Sequence, residues 1–117
     1  TLEVQFDSTF YGTIMVDFTD GLLDASSKTE IEDMLISYLD YLQGAFSITE
    51  SVGYGKGHTL ESNSDAVGVI DYWQDATGEP WIIKGWADKN TLAVMYIYGI
   101  EPSEGIKQMF LNGFRFN

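Results

Sequence analysis

Three β-rich segments in the second half of the chain, joined by two short turns, constrain the fold most strongly. Residues 66–74, 81–87 and 92–98 are rich in the β-branched and aromatic side chains that favour strands. The linkers at residues 75–80 and 88–90 contain the Asp, Gly, Pro and Asn residues that turns prefer. Two tight connections in a row predict an antiparallel meander, because parallel strands would need long crossovers.

Shorter strand candidates flank this meander. Residues 2–7 alternate between apolar and polar side chains, and residues 10–18 are rich in β-formers. We therefore expect two strands joined in a hairpin at residues 7–9. Further short strands are predicted at residues 48–53 and at residues 114–116.

One segment has the clear periodicity of an amphipathic helix. Residues 30–43 place apolar side chains at spacings of three and four, so that they share one helical face. A capping box, formed either by Ser27 with Glu30 or by Thr29 with Glu32, predicts that the helix begins just before this segment.

A second, shorter helix is expected between Pro102 and Gly113. Ile106, Met109 and Phe110 form its apolar stripe. The sequence of 117 residues thus predicts a single α+β domain, in which two helices pack on an antiparallel β-sheet. The predicted order of elements is β-β-α-β-β-β-β-α-β.

Charge and composition exclude several classes of function. The chain has 18 acidic and 6 basic residues, for a net charge of −12, and such a surface repels nucleic-acid phosphates and anionic lipids. It has no cysteine, so disulfides and Cys-type zinc sites are excluded. No run of 18 apolar residues is present, so we expect no membrane insertion. No motif for a cofactor is found.

The glycine-rich segment at residues 53–58 superficially resembles a phosphate-binding loop. A Walker loop requires a Gly-Lys-Ser/Thr ending and a following helix, and neither is found here. We instead predict a flexible loop or a β-bulge within a flexible stretch at residues 53–65. Tyr54 and His58 lie in this segment and are candidates for ligand binding.

His58 is the only histidine and is the one candidate for a catalytic base. A catalytic triad would require a nucleophilic serine and an acid beside it, and Ser62, Ser64 and Asp65 lie near it in sequence. No nucleophile elbow is present, however, and a surface histidine on a loop is the favoured interpretation. A small hydrolase remains an alternative function.

Three aspartates cluster around Gly21 and are candidates for binding calcium. Asp17, Asp20 and Asp24 could supply several carboxylates from one irregular loop, which suits a hard cation. The EF-hand pattern is absent, and turn chemistry at the entry to the helix also accounts for the acids.

The aromatic residues of the meander are the most distinctive feature of the sequence. Tyr72, Trp73, Trp81 and Trp86 fall on neighbouring predicted strands. Trp81 and Trp86 should point to opposite faces of the sheet, unless a bulge intervenes at Gly85. With one face packed under the helices, an exposed aromatic row on the other could bind sugar rings or a protein. Cross-strand packing of these aromatic residues is the favoured interpretation.

Residues 66–117 resemble the PsbP-like superfamily. The resemblance rests on residues 69–73 leading through a turn to 81–86, on residues 91–96, and on the helix and final Phe-Arg-Phe at 106–116. That superfamily includes an extrinsic photosystem II protein, a Ran-GTPase nucleotide-release factor and small bacterial envelope proteins. The resemblance implies a sheet with helices packed on it and a binding or assembly role. The proline-rich entry that follows the first strand in that family is absent here.

These features favour a non-enzymatic binding or adapter domain, at a bacterial cell surface, whose partner is another protein. We expect the partner to meet the open face of the sheet or the stretch at residues 53–65. The alternatives are a small carbohydrate-binding module that uses exposed aromatic residues, and a small hydrolase.

Overall fold

The computed structural model of the protein describes residues 2–18, 21–23, 25–60 and 63–114. In chain order the elements are β1 (Leu2–Phe6), β2 (Thr9–Asp17), α1 (Lys28–Ala45), β3 (Ile48–Ser51), β4 (Gly55–Leu60), β5 (Asn63–Asp75), β6 (Pro80–Ala87), β7 (Thr91–Gly99) and α2 (Glu104–Asn112). The predicted α+β class, with two helices on an antiparallel sheet, is confirmed.

All the strands belong to one antiparallel sheet with the order β1-β2-β7-β6-β5-β3. The predicted meander is its centre, formed by β5, β6 and β7. The long strand β5 pairs with β6 on one side, and with both β3 and β4 on the other.

A tight turn joins the first two strands as predicted. Asp7 and Ser8 have φ angles of 49° and 64°, and positive φ at both central residues is typical of a type I′ hairpin turn. This turn fixes the register in which Val4 lies opposite Tyr11.

Helix α1 covers the first face of the sheet. Of the two predicted capping boxes, the structure forms the one between Ser27 and Glu30, with hydrogen bonds of 3.1 and 3.0 Å. The helix buries Leu35 directly over Gly85 of β6, where a Cβ atom would lie 2.7 Å from Leu35 Cδ1. The other buried residues of this helix are Ile31, Leu39 and Leu42.

Helix α2 packs on the second face, opposite α1. Leu111 is buried there beside Trp86, whose Nε1 donates a hydrogen bond to the Leu111 carbonyl oxygen at 2.9 Å. The expected apolar stripe is only partly right, because Ile106 and Met109 are exposed. Both central faces of the sheet are therefore covered, so the expectation of one open face is wrong for the middle of the sheet.

Two other sequence-based expectations change. Residues 53–65, expected to form a flexible stretch, contain the strand β4, which pairs with β5 through two register shifts. The described residues of this stretch thus include a strand with a β-bulge or a similar irregularity, rather than one long loop. Of the strand predicted at residues 114–116, only Phe114 lies within the described residues, and it is not in a strand.

A last feature of the fold concerns membranes. The described residues contain two helices, α1 and α2, and neither is long and apolar enough to span a bilayer.

Candidate functional site

Helix α2 divides the second face of the sheet into two surfaces of different chemistry. Toward β1 lies an exposed apolar region, and toward β4 lies a cleft with a polar centre. We call the first the outer apolar surface, formed by Leu2, Val4, Phe6, Met15, Ile106 and Met109. We call the second the Lys84 cleft, formed by His58, Thr59, Leu60, Ile70, Tyr72, Lys84, Trp86, Gln108, Leu111 and Asn112.

The outer apolar surface begins on the edge strand β1. Leu2, Val4 and Phe6 alternate along it and therefore point to the same face of the sheet. Their exposed fractions are 68, 54 and 66%. Apolar side chains this exposed, in a row on one strand, form a continuous patch rather than scattered single contacts.

A groove extends this surface toward α2. It has a volume of about 460 Å³ and lies between β2 and the helix. Tyr11 and Thr13 from β2, Met95 from β7 and Phe110 from α2 line it. Because Tyr11 and Thr13 are the register partners of Val4 and Leu2, the groove and the face of β1 are continuous.

Hydrogen bonds on the first face of the sheet hold strand β1 in place. The carboxylate of Glu3 accepts hydrogen bonds from the hydroxyls of Tyr96 at 2.8 Å and Tyr98 at 2.5 Å. Burial, together with the Glu3 carboxylate, raises the pKa of Tyr98 to about 12 and also raises that of Tyr96. These contacts fix the orientation of β1, so its apolar side chains face outward on the second face.

The charge around the outer apolar surface is negative. Residues 2–18, which form the β1–β2 ribbon, contain three acids and no lysine or arginine. On the other side of the groove, Lys107 of α2 is bound by Glu101 and Glu104, both at 2.9 Å. One lysine against two acids leaves that side negative as well.

The Lys84 cleft is a concave site of about 550 Å³ between β4, β5, β6 and α2. Trp86, Leu60, Ile70 and Leu111 supply apolar lining, and Tyr72 stands half exposed at its border. A concave cleft of this size, in which convergent polar groups stand beside apolar side chains, has the general form of a small-molecule site.

The centre of this cleft is a buried lysine. Lys84 is only 5% exposed, and its Nζ donates a hydrogen bond to Asn112 Oδ1 at 2.5 Å. The same Nζ lies 3.2 Å from His58 Nδ1 and 4.7 Å from the centre of the Trp86 ring. Burial lowers the pKa of Lys84, and burial followed by the charge of Lys84 lowers the pKa of His58. In the described chain, no carboxylate forms an ion pair with Lys84.

The structure separates the aromatic residues that the sequence singled out. Trp81 and Trp86 point to opposite faces, as their parity predicted, and both are buried. Trp73 is also buried, and its Nε1 donates to Asp71 Oδ2 at 2.6 Å. All three tryptophans are therefore core residues, as the favoured interpretation predicted, and the alternative of an exposed aromatic row is wrong for them, because each face of the meander carries its own helix. Tyr72 is the exposed member of the set.

Tyr54 has a structural contact rather than a place in the cleft. Its hydroxyl donates to Asp40 Oδ1 at 2.6 Å and accepts from Gln43 Nε2 at 2.9 Å, which ties the segment before β4 to α1. Burial and the Asp40 hydrogen bond raise its pKa. Of the predicted ligand-binding residues, the structure brings His58, Tyr72 and Trp86 together.

The calcium hypothesis stays a prediction. Asp17 ends β2 and accepts a hydrogen bond from Thr91 Oγ1 at 3.1 Å, while Asp20 and Asp24 lie outside the described residues. Over the described ranges, no three His, Asp or Glu side chains are grouped closely enough to hold a metal ion.

The catalytic interpretation of His58 gains no partner in the described part of the chain. His58 contacts Lys84, and no hydrogen bond joins it to Ser64 or Asp65. Ser62 lies outside the described residues.

Sequence reasoning missed Lys84, Gln108 and Asn112. A signal existed for Lys84, because it interrupts the otherwise apolar run Trp-Ile-Ile-Lys-Gly-Trp at residues 81–86, in the middle of the sheet. Gln108 and Asn112 had no such signal, since only the position of α2 brings them to the cleft.

Comparison of the chain with protein-family models, curated proteins and solved structures finds no match.

Proposed function

We propose that this protein is a non-enzymatic binding domain that takes a basic protein partner along β1 and across the outer apolar surface. The observation that carries the proposal is the edge strand itself, in which Leu2, Val4 and Phe6 are all more than half exposed on one face. The partner segment would be extended, with apolar side chains alternating with Lys or Arg.

Strand pairing is the binding mode that this edge favours. Within the described residues β1 pairs only with β2, so its other side presents backbone N–H and C=O groups. Sheet edges in stable monomers are usually guarded by inward-pointing charges, by proline or by a bulge. β1 contains none of these on its second face. An added strand would gain main-chain hydrogen bonds, and its apolar side chains would extend the patch.

Charge selects a basic partner over a second copy of this chain. The β1–β2 ribbon is acidic, and the whole molecule carries −12. Two copies would bring like charges together, whereas a basic segment would be attracted and steered to the site.

The resemblance to the PsbP-like superfamily is compatible with this proposal, because it implies a binding or assembly role. A position at a bacterial cell surface rests on the same resemblance and forms part of the proposal.

The test uses a fluorescein-labelled peptide of about ten residues that alternates Lys and Val, with fluorescence anisotropy as the readout. We expect binding that weakens as salt is raised, since the charge contribution is screened. The Val4→Asp variant should bind at least about tenfold more weakly, because it places a charge in the centre of the apolar row.

The matched control is Val52→Asp, which makes the same substitution at a valine that is 81% exposed away from this surface. It adds the same charge and should leave binding unchanged. Met15→Asp provides a second variant on the surface that leaves β1 intact. No binding of the peptide, or equal losses of peptide affinity in Val4→Asp and Val52→Asp, would refute the proposal.

A further inference from the structure

Lys84 carries a charge that no described acidic group neutralises. Its neighbours in the cleft are an amide oxygen, an imidazole nitrogen and an indole ring. Buried ions in proteins are ordinarily paired, because transfer of an unpaired charge out of water is costly. In a chain with three times as many acids as bases, a buried lysine that has no carboxylate partner among the described residues is an exception.

We propose that the Lys84 cleft binds a small carboxylic acid with an apolar body, whose carboxylate supplies the counter-charge that the described residues do not provide. This site is distinct from the outer apolar surface, since α2 lies between them.

The ligand carboxylate would take the position that the side-chain oxygen of Asn112 now occupies. That oxygen lies 2.5 Å from Lys84 Nζ, and the amide nitrogen of Asn112 donates to Gln108 Oε1. A neutral carbonyl oxygen thus takes the place of an anionic one, on the last residue of α2, where a side chain can rotate away. A ligand carboxylate would exchange this neutral contact for a charge-assisted one, which is shorter and stronger.

Apolar side chains line part of the cleft and offer a surface for the apolar body of the ligand. Trp86 lies beside the lysine, and Leu60, Ile70 and Leu111 continue the apolar wall. The volume of about 550 Å³ suits a molecule of the size of a substituted aromatic acid.

His58 makes the binding dependent on pH. Among the described residues that line the cleft, the other titratable groups are Lys84 on β6 and Tyr72 on β5, whereas α2 contributes the uncharged amides of Gln108 and Asn112. Without ligand, burial and then Lys84 hold the pKa of His58 below its ordinary value. A bound carboxylate raises that pKa, so binding takes up a proton and affinity increases as pH falls through the titration of His58.

The experiment is an NMR titration of the ¹⁵N-labelled protein with benzoate and with benzamide, which has the same shape without the charge. We expect benzoate to shift the amide signals around residues 58, 84 and 112 and to bind about tenfold more tightly than benzamide. Its affinity should rise from about pH 8 to about pH 6.

Two substitutions test the role of the charge. Lys84→Met removes it and should abolish the preference for benzoate, whereas Lys56→Met, on the exposed part of β4, should preserve it. Asn112→Asp supplies a carboxylate within the chain and should also suppress benzoate binding.

Asn112 is a partly exposed residue at the end of α2, so the Asn112→Asp variant should fold. It tests the role of the charge even if Lys84→Met does not fold. Equal affinity for benzoate and benzamide, no binding of either, or an unchanged preference in Asn112→Asp would overturn the proposal.

Discussion

At the scale of single residues, Asp71 organises the outer edge of the sheet. It is fully buried on the first face, and its carboxylate accepts hydrogen bonds from Ser51 Oγ, the Gly53 amide at 2.9 Å, the Tyr72 amide at 2.8 Å and Trp73 Nε1 at 2.6 Å. One side chain thereby joins β3 and the segment that leads into β4 to the long strand β5. Since β4 carries His58, these bonds also position one wall of the Lys84 cleft.

Asp71→Asn should lower the free energy of unfolding by about 2 to 3 kcal/mol, because the amide turns one acceptor oxygen into a donor that faces other buried donors. Urea denaturation at neutral pH measures the change. Asp65→Asn removes the same charge from an exposed position and should have little effect. Similar losses in the two variants would show that charge, rather than the hydrogen bonds, is responsible.

At the scale of elements, the contact between α1 and β6 sets how closely the helix approaches the sheet. Leu35 lies over Gly85 without room for a further carbon, and Val67, Val69 and Ile83 belong to the same buried core. A glycine in a central strand weakens it intrinsically, so its place here reflects the close approach of the helix.

Gly85→Ala should therefore destabilise the fold by about 2 kcal/mol through overpacking against Leu35. Gly44→Ala makes the same change in the last turn of α1, where nothing lies within 4 Å of the added carbon. It should stabilise by about 0.5 to 1 kcal/mol, since alanine favours a helix over glycine. Thermal unfolding of both variants gives the signs, and a stable Gly85→Ala would contradict the packing described here.

Local patterns explain which elements could be predicted from sequence. The meander and the hairpin depend on alternation and on turn residues such as Asp7 and Ser8, and these act within a few positions of the chain. The face covered by α2 could not be predicted in this way. The apolar residues of α2 lie on several sides of the helix, so its buried side is not evident from sequence. In the structure Leu111 is buried, whereas Ile106 and Met109 are exposed.

Contacts between residues distant in sequence also explain why parts of the candidate sites were not predicted. The parity of Trp81 and Trp86 was predictable, but their burial depends on a helix that comes later in the chain. The Lys84 cleft joins residues from 58 to 112, which no short motif records. The exposed face of β1 was visible as an alternation, but only the order of the sheet showed that it lies at an edge.

At the scale of the whole molecule, the two faces of the sheet differ in how far they cover the side chains of the edge strand β1. On the first face, Phe10 stacks on Tyr98 at 4.6 Å, and Glu3 is bound by the tyrosines. On the second face, the apolar side chains of Leu2, Val4 and Phe6 are more than half exposed. We propose that this exposed apolar edge, on an acidic molecule, recruits a basic strand.

Amide hydrogen exchange of β1, measured by NMR with and without the alternating Lys-Val peptide, tests whether a basic strand adds to this edge. If the peptide adds as a strand, amides within residues 2–6 that exchange freely in the unbound protein become protected, because they donate to the peptide backbone. The strands at the β3–β4 end should keep their exchange rates and serve as the internal reference. Unchanged exchange in β1 at saturating peptide, or protection confined to the Lys84 cleft, would contradict the account.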